Sequence, residues 1–168
     1  MVTGAPAKLV EGKNGSTMVV FSGDLDKAIA SFIIATGAAS MGKEVTMFFT
    51  FWGLNVIKKR NKPRVKKDIV SKMFDFMLPD HAGKLPLSQM QMFGMGPAMI
   101  KYIMKKKNVD TLEQLMENAM KLNVKFVACA MSLDLMGIKE EELLDGVEVA
   151  GVASYLAAAD ESNIDLFI

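Results

Sequence analysis

The sequence predicts a three-layer α/β sandwich around a mainly parallel five-stranded sheet, and three observations carry that reading. Short apolar runs rich in β-branched residues recur along the chain. Helical stretches separate them. The first run, helix and run form a βαβ signature, whose right-handed crossover makes the two strands parallel.

The elements follow in order. Met1–Gly15 is rich in Gly, Ala, Lys and polar residues, has no period, and reads as a tail. Thr17–Ser22 is a buried strand. Ser22-Gly23-Asp24 is a turn, with Asp24 placed to cap a helix over Leu25–Met41 that Gly42 ends. Glu44–Phe51 is the second buried strand. Trp52–Lys59 reads as a short helix entering a basic loop, and Lys67–Met77 has a helical apolar pattern at Ile69, Val70, Met73, Phe74 and Met77. Leu78–Pro97 holds three prolines and three glycines in twenty residues, so it is a long loop of the kind that often serves as a lid. Pro97 opens a helix over Ala98–Lys106. Asp110 or Thr111 caps the next, which runs to Leu122, and Thr111 with Gln114 fits a capping box. Lys125–Ala130 is a clear strand, Ser132–Met136 a helical turn stopped by Gly137, and Glu140–Leu144 another turn. Val147–Val149 is a strand, Ala150–Ala159 a helix, and Ile164–Ile168 the last strand. Five strands alternating with helices make a flavodoxin-like arrangement. The domain organisation expected is a tail over 1–15 and one α/β unit over 16–168, with a lid-like loop at about 78–97.

Composition narrows the function. Hydrophobic residues make up 51% of the 168, enough for a sizeable core. No apolar stretch reaches the length of about eighteen residues that a membrane span needs. Met1–Ser16 lacks the apolar segment of a signal peptide, and the single cysteine agrees with a reducing compartment, so a cytoplasmic address is expected. The net charge of +1 is split. Residues 1–108 hold 17 basic and 7 acidic side chains, and residues 109–168 hold 3 and 12. The basic excess centres on Lys58–Lys67 and Lys105–Lys107. Such a run is either a solvated loop or a surface for an anionic partner. No aromatic residue interleaves it, so it is not a base-stacking platform for nucleic acid.

No phosphate-loop, dinucleotide-binding, serine-hydrolase or zinc-protease motif occurs. His81 is the only histidine and sits in the long loop, read as an exposed turn residue; with one cysteine it makes no ordinary zinc site. Neither a resident metal nor a cofactor is expected. Cys129, near the carboxyl end of a strand where ligands gather in open α/β sheets, is the candidate catalytic residue. Ser132 is placed to cap the following turn and aim backbone N–H groups at the thiol, which favours the thiolate. The alternative is a small buried hydrophobe. Met90, Met92, Met95, Met99, Met131 and Met136 surround these segments, either as adaptable packing or as soft ligands for Cu(I).

The segment Val127–Ile138 (VACAMSLDLMGI) resembles the cysteine segment of the DsrE/DsrF-like sulfur-transfer family, in its single-chain, soluble branch labelled peroxiredoxin-like. Ser22–Ala28, Thr46–Leu54, Gly146–Leu156 and Leu166–Ile168 agree. The resemblance implies a flavodoxin-like homo-oligomer carrying sulfane sulfur as a persulfide on Cys129. It implies rhodanese-like and TusA-like partners, and relay rather than independent turnover. Met131, Ser132 and Asp134 are then supporting residues beside the thiol, and Gly23, Asp24, Trp52 and Phe93 are placed around the crevice. Asp134 carries a complication, since a carboxylate near the sulfur raises a thiol pKa. A peroxidatic role through an internal disulfide lacks its resolving cysteine. The competing reading is an oligomeric binding module for an anionic or nucleotide-like ligand, with Cys129 structural.

Overall fold

The structure is a computed structural model that describes residues 13–61, 63, 65, 72–73, 77–89 and 94–168. Its sheet has strands β1 (Gly15–Val20), β2 (Glu44–Phe49), β3 (Lys125–Cys129), β4 (Glu148–Ala150) and β5 (Ser162–Phe167). All pairs are parallel, in the order β4-β3-β2-β1-β5. Helices are α1 (Leu25–Ser40), α2 (Met95–Lys106), α3 (Leu112–Lys121), α4 (Ala130–Met136) and α5 (Val152–Asp160). A 3₁₀ segment, Phe51–Ile57, leaves β2. No helix among the described residues is long and apolar enough to cross a membrane.

Strand alternation divides the sheet into two unequal faces. Met18, Val20, Met47, Phe49, Phe126 and Ala128 join one core with α1 and α3. Leu25, Ala28, Phe32, Ala35 and Ala38 supply the buried stripe of α1 at helical spacing. Phe32 sits between Phe49 and Phe126, with ring centroids 6.2 and 5.5 Å away. Truncating such a buried ring to alanine costs about 3–5 kcal/mol. On the other face Phe48, Val127 and Cys129 form a small separate cluster, with Ala150 and Tyr155 packed against it. That face is thinly covered: α5, which supplies Tyr155, buries none of its residues.

Several boundaries differ from the sequence reading. Gly15, assigned to the tail, is already in β1 and pairs with Glu44, while residues 1–12 lie outside the description. Strand β1 ends at Val20, two residues before Ser22, as the chain turns toward α1. Strand β2 ends at Phe49 rather than Phe51, because Phe51 adopts φ +46°. Asp24 takes the N-cap position of α1 without a capping bond. Its carboxylate instead accepts from Ser22 Oγ at 2.9 Å and pairs with Lys27 at 2.9 Å. Gly94, in the left-handed region, lets α2 begin at Met95, so Pro97 is third in the helix rather than its opening residue. Thr111 and Gln114 do form the capping box of α3. The strand expected at 147–149 is 148–150, and the helix expected at 150–159 is 152–160. Strand β5 begins at Ser162, whose hydroxyl donates to the Ala158 carbonyl at 2.8 Å. Most of the 67–77 helix prediction lies outside the described residues.

Part of the long loop is structured. Ala82–Lys84 form a 3₁₀ turn, and the chain around Pro86–Ser88 fastens onto the start of α1. Leu25 N–H donates to the Pro86 carbonyl at 2.6 Å, and Ser88 N–H to Asp26 at 2.9 Å.

One contact positions the start of the 3₁₀ segment. A Cβ on Gly53 would lie 2.0 Å from the Val20 carbonyl oxygen, a backbone atom with no room to yield. Gly53→Ala is therefore expected to lower unfolding stability by about 3 kcal/mol or more. A chemical denaturation midpoint equal to that of the parent protein would contradict this.

Candidate functional site

Cys129 is the last residue of β3 and occupies the N-cap of α4. The strand holds it with its side chain on the thinly covered face, 5% exposed. It closes no side-chain capping bond in the strict sense. Donors nevertheless face the sulfur. Burial pushes the thiol pKa up, but the Ser132 hydroxyl and N–H, the Thr50 hydroxyl and the Met131 N–H together outweigh it and hold the pKa below its ordinary value. The two hydroxyls are themselves joined, with Thr50 Oγ1 2.7 Å from Ser132 Oγ. Ser132 is fully buried and Thr50 half-buried, so the Ser132 end of this pair is sheltered from bulk water.

Three elements build the arrangement. Pairing of Phe49 with Ala128 aligns the carboxyl ends of β2 and β3, so Thr50 lies beside Cys129. Helix α4 supplies Met131 and Ser132 from its first turn. Gly137 then ends that helix at φ +63°, a conformation a glycine adopts without strain.

Ser132 is thus third in the helix rather than its cap, and Cys129 itself is the cap residue. A helix begun one residue after the strand puts Ser132 one turn from the sulfur. Met131 acts through its backbone, and its side chain is exposed. Asp134 is exposed on α4 and is not among the groups that shift the thiol, which removes the complication read from the sequence. Thr50 was not singled out in the sequence. Its signal was positional: it follows a strand parallel to the cysteine strand and adjacent to it.

The other supporting residues lie apart. Gly23, Asp24 and Trp52 line a cavity of about 350 Å³ at the end of β1, and Cys129 is not in its lining. A Cβ on Gly23 would come within 2.8 Å of the Trp52 carbonyl oxygen, so the glycine lets the β1–α1 loop rest on that backbone. Phe93 lies outside the described residues, as do Met90 and Met92. Larger cavities, of about 600 and 580 Å³, lie between α2 and α3 and beside Arg60 and His81, away from the thiol.

His81 is a half-buried cap rather than an exposed turn residue. Its Nδ1 accepts the Gly83 N–H at 3.0 Å, and burial followed by the Arg60 and Lys84 charges lowers its pKa. The basic run is also less solvated than its composition suggests. Lys58 is buried in a bridge to Leu143, and Lys59 pairs with Asp145 at 2.8 Å. Lys62, Arg64, Lys66 and Lys67 lie outside the described residues.

Fold and site together define a parallel α/β domain with one cysteine facing hydroxyl and amide donors at a strand end. The chain matches the DsrE/DsrF/DrsH-like family over residues 13–167, and it belongs to that family. Among its relatives is the protein named "Uncharacterized protein YrkE" of Bacillus subtilis (strain 168), 52% identical over 160 residues, covering 95% of this chain and 100% of the relative. Another is sulfur carrier protein DsrE2 of Allochromatium vinosum, 39% identical over 157 residues, covering 90% and 96%. The crystal structure of the ychN protein from E. coli shares the fold, with a TM-score of 0.58 at 12% identity over 92% of this chain and 99% of that one.

The donor set makes a directional prediction. Ser132→Ala removes the first-named donor, so the Cys129 pKa rises and the midpoint of its alkylation rate against pH moves up by about one unit. Thr50→Val moves it in the same direction by less. An unchanged midpoint in a folded Ser132→Ala protein would show that the hydroxyl does not stabilise the thiolate.

Proposed function

We propose that this chain is a sulfur carrier that holds sulfane sulfur as a persulfide on Cys129 and passes it to a partner thiol. The observation that carries the reading is the buried Cys129 at the end of β3, facing the joined Ser132 and Thr50 hydroxyls and the Met131 N–H. Family membership and the relative named as a sulfur carrier support it.

The chemistry needs no external oxidant. The Cys129 thiolate attacks the outer sulfur of a donor persulfide, R–S–SH. The donor's S–S bond breaks as the new S–S bond on Cys129 forms. The donor leaves as R–S⁻, and Cys129 becomes Cys–S–SH. An acceptor thiolate then attacks the outer sulfur, takes it as a new persulfide, and returns the negative charge to Cys129. The same donors that favour the starting thiolate favour it as the leaving group in this second step. A lowered pKa serves both, since a less basic thiolate leaves faster.

The reading extends to partners. Met131 and Leu135 on α4, the helix that follows Cys129, and Val152 and Leu156 on α5, which covers the Cys129 face, expose apolar side chains. Exposed apolar surface of this kind favours a protein contact, with a second copy of the chain, a rhodanese-like donor and a TusA-like acceptor as the candidates. The setting is cytoplasmic, in a unit over 16–168. Of the 78–97 loop, the described part over 78–86 then acts as a lid over the end of β1, where Leu78, Pro79 and Pro86 line the cavity with Trp52.

The test is the intact mass after incubation with a persulfide donor system. The parent protein gains one sulfur atom, which reductant removes, and folded Cys129→Ser gains none. Equal loading of the variant, or no loading of a parent whose thiol reacts with alkylating agents, would end the proposal.

A further inference from the structure

Helix α2 has more apolar surface than the fold uses. Against the body it buries only Gly96 and Pro97. The rest of its inner side is accounted for: Lys101 Nζ donates to the Gly83 carbonyl at 2.5 Å, and Met104 lines the cavity between α2 and α3. The outer side carries Met95, Ala98, Met99, Tyr102 and Ile103, whose spacing of three and four residues makes one stripe along the helix. All five are exposed, the four larger ones by between 44% and 67%. A helix that is apolar on its inner and its outer side is ordinarily covered on both. An exposed apolar surface with a charged rim marks a contact site.

The rim says what covers the stripe. It runs into Lys105, Lys106 and Lys107, all exposed. From residue 81 to residue 109 the chain carries lysines at 84, 101, 105, 106 and 107 and no acidic residue. A second copy of this helix, laid against it in either direction, would bring no carboxylate to those ammonium groups. A bilayer with anionic headgroups supplies both halves of the contact. Its acyl boundary takes the methionine and isoleucine side chains. Its phosphates pair with the lysines, whose aliphatic stems follow the apolar boundary outward. Tyr102 suits the same level, with its ring toward the acyl chains and its hydroxyl toward the headgroups. We propose that α2 lies flat in the surface of an anionic membrane, with the Met95–Ile103 stripe inward and Lys105–Lys107 at the headgroups. At 12 residues the helix is too short to cross, so it rests in the interface. Cys129 takes no part in this contact, so the proposal stands or falls apart from the sulfur chemistry.

The experiment is co-sedimentation of the full chain with vesicles of phosphatidylcholine alone, or of phosphatidylcholine mixed with phosphatidylglycerol, at low and at raised salt. The mixed vesicles should take up the protein, the neutral ones should not, and salt should release it. Lys105→Gln, Lys106→Gln and Lys107→Gln together should weaken uptake by about tenfold or more. Met99→Asp with Ile103→Asp should abolish uptake while the lysines remain. Both positions face solvent, so this double variant should unfold at the parent's denaturant midpoint. Cys129→Ser should bind as the parent does. The proposal is overturned by equal uptake on neutral and anionic vesicles, or by no uptake on either. Parent-like uptake of the Met99→Asp, Ile103→Asp protein would overturn it as well, by placing the contact on lysines elsewhere. Sedimentation velocity of the protein alone tests the other occupant: a parent oligomer that the double variant dissociates would make a second copy the cover of α2 and end the membrane assignment.

Discussion

The chain leaving β2 has to pass directly against the end of β1, and most of the functional geometry depends on that crossing. Thr50 N–H donates to the Val20 carbonyl at 3.1 Å, and Gly53 N–H to the Phe21 carbonyl at 2.8 Å. Between them Phe51 is held at φ +46°, an uncommon conformation for an aromatic residue. The two bonds and the bare Cα of Gly53 fasten this turn at both ends. It presents Thr50 toward β3 and Cys129 on one side, and Trp52 and Asn55 toward the cavity on the other. A single backbone crossing thus positions both Thr50 and the cavity wall, and a side chain at position 53 would disturb both.

The asymmetry of the sheet explains where chemistry is possible. The face under α1 and α3 is a continuous apolar core, where an ionised thiol would find no donors. On the other face the core shrinks to Phe48 and Val127, with Ala150 and Tyr155 beside them. Cys129 is buried enough there to be shielded, yet lies at the rim where strand ends offer amides and hydroxyls. Desolvation and donation work against each other on the sulfur, and donation prevails.

Much of this was legible in the residues because period and punctuation coincide. Each strand had a β-branched or aromatic run, α1 had its stripe from Leu25 to Ala38, and Gly137 marked the end of α4. Boundaries moved where a hydrogen bond or a positive φ intervened, as at Phe51 and Gly94, neither of which periodicity reports. Cys129 could be singled out because it is the only thiol and lies at a strand end. Thr50 could not, because its role depends on the register between β2 and β3. The basic run misled in the opposite direction, since composition does not say that Lys58 turns inward.

Strand order has a kinetic side. β1 finds its first neighbour, β2, within about a helix's length of chain. Its other neighbour, β5, is the last strand, and the Thr17 hydroxyl reaches across a separation of 148 residues to Asp165. The middle of the sheet therefore keeps an open edge until the whole unit has been synthesised. A ribosome-bound intermediate would carry β1 unpaired on one side, its backbone N–H and C=O groups available to any strand that arrives first.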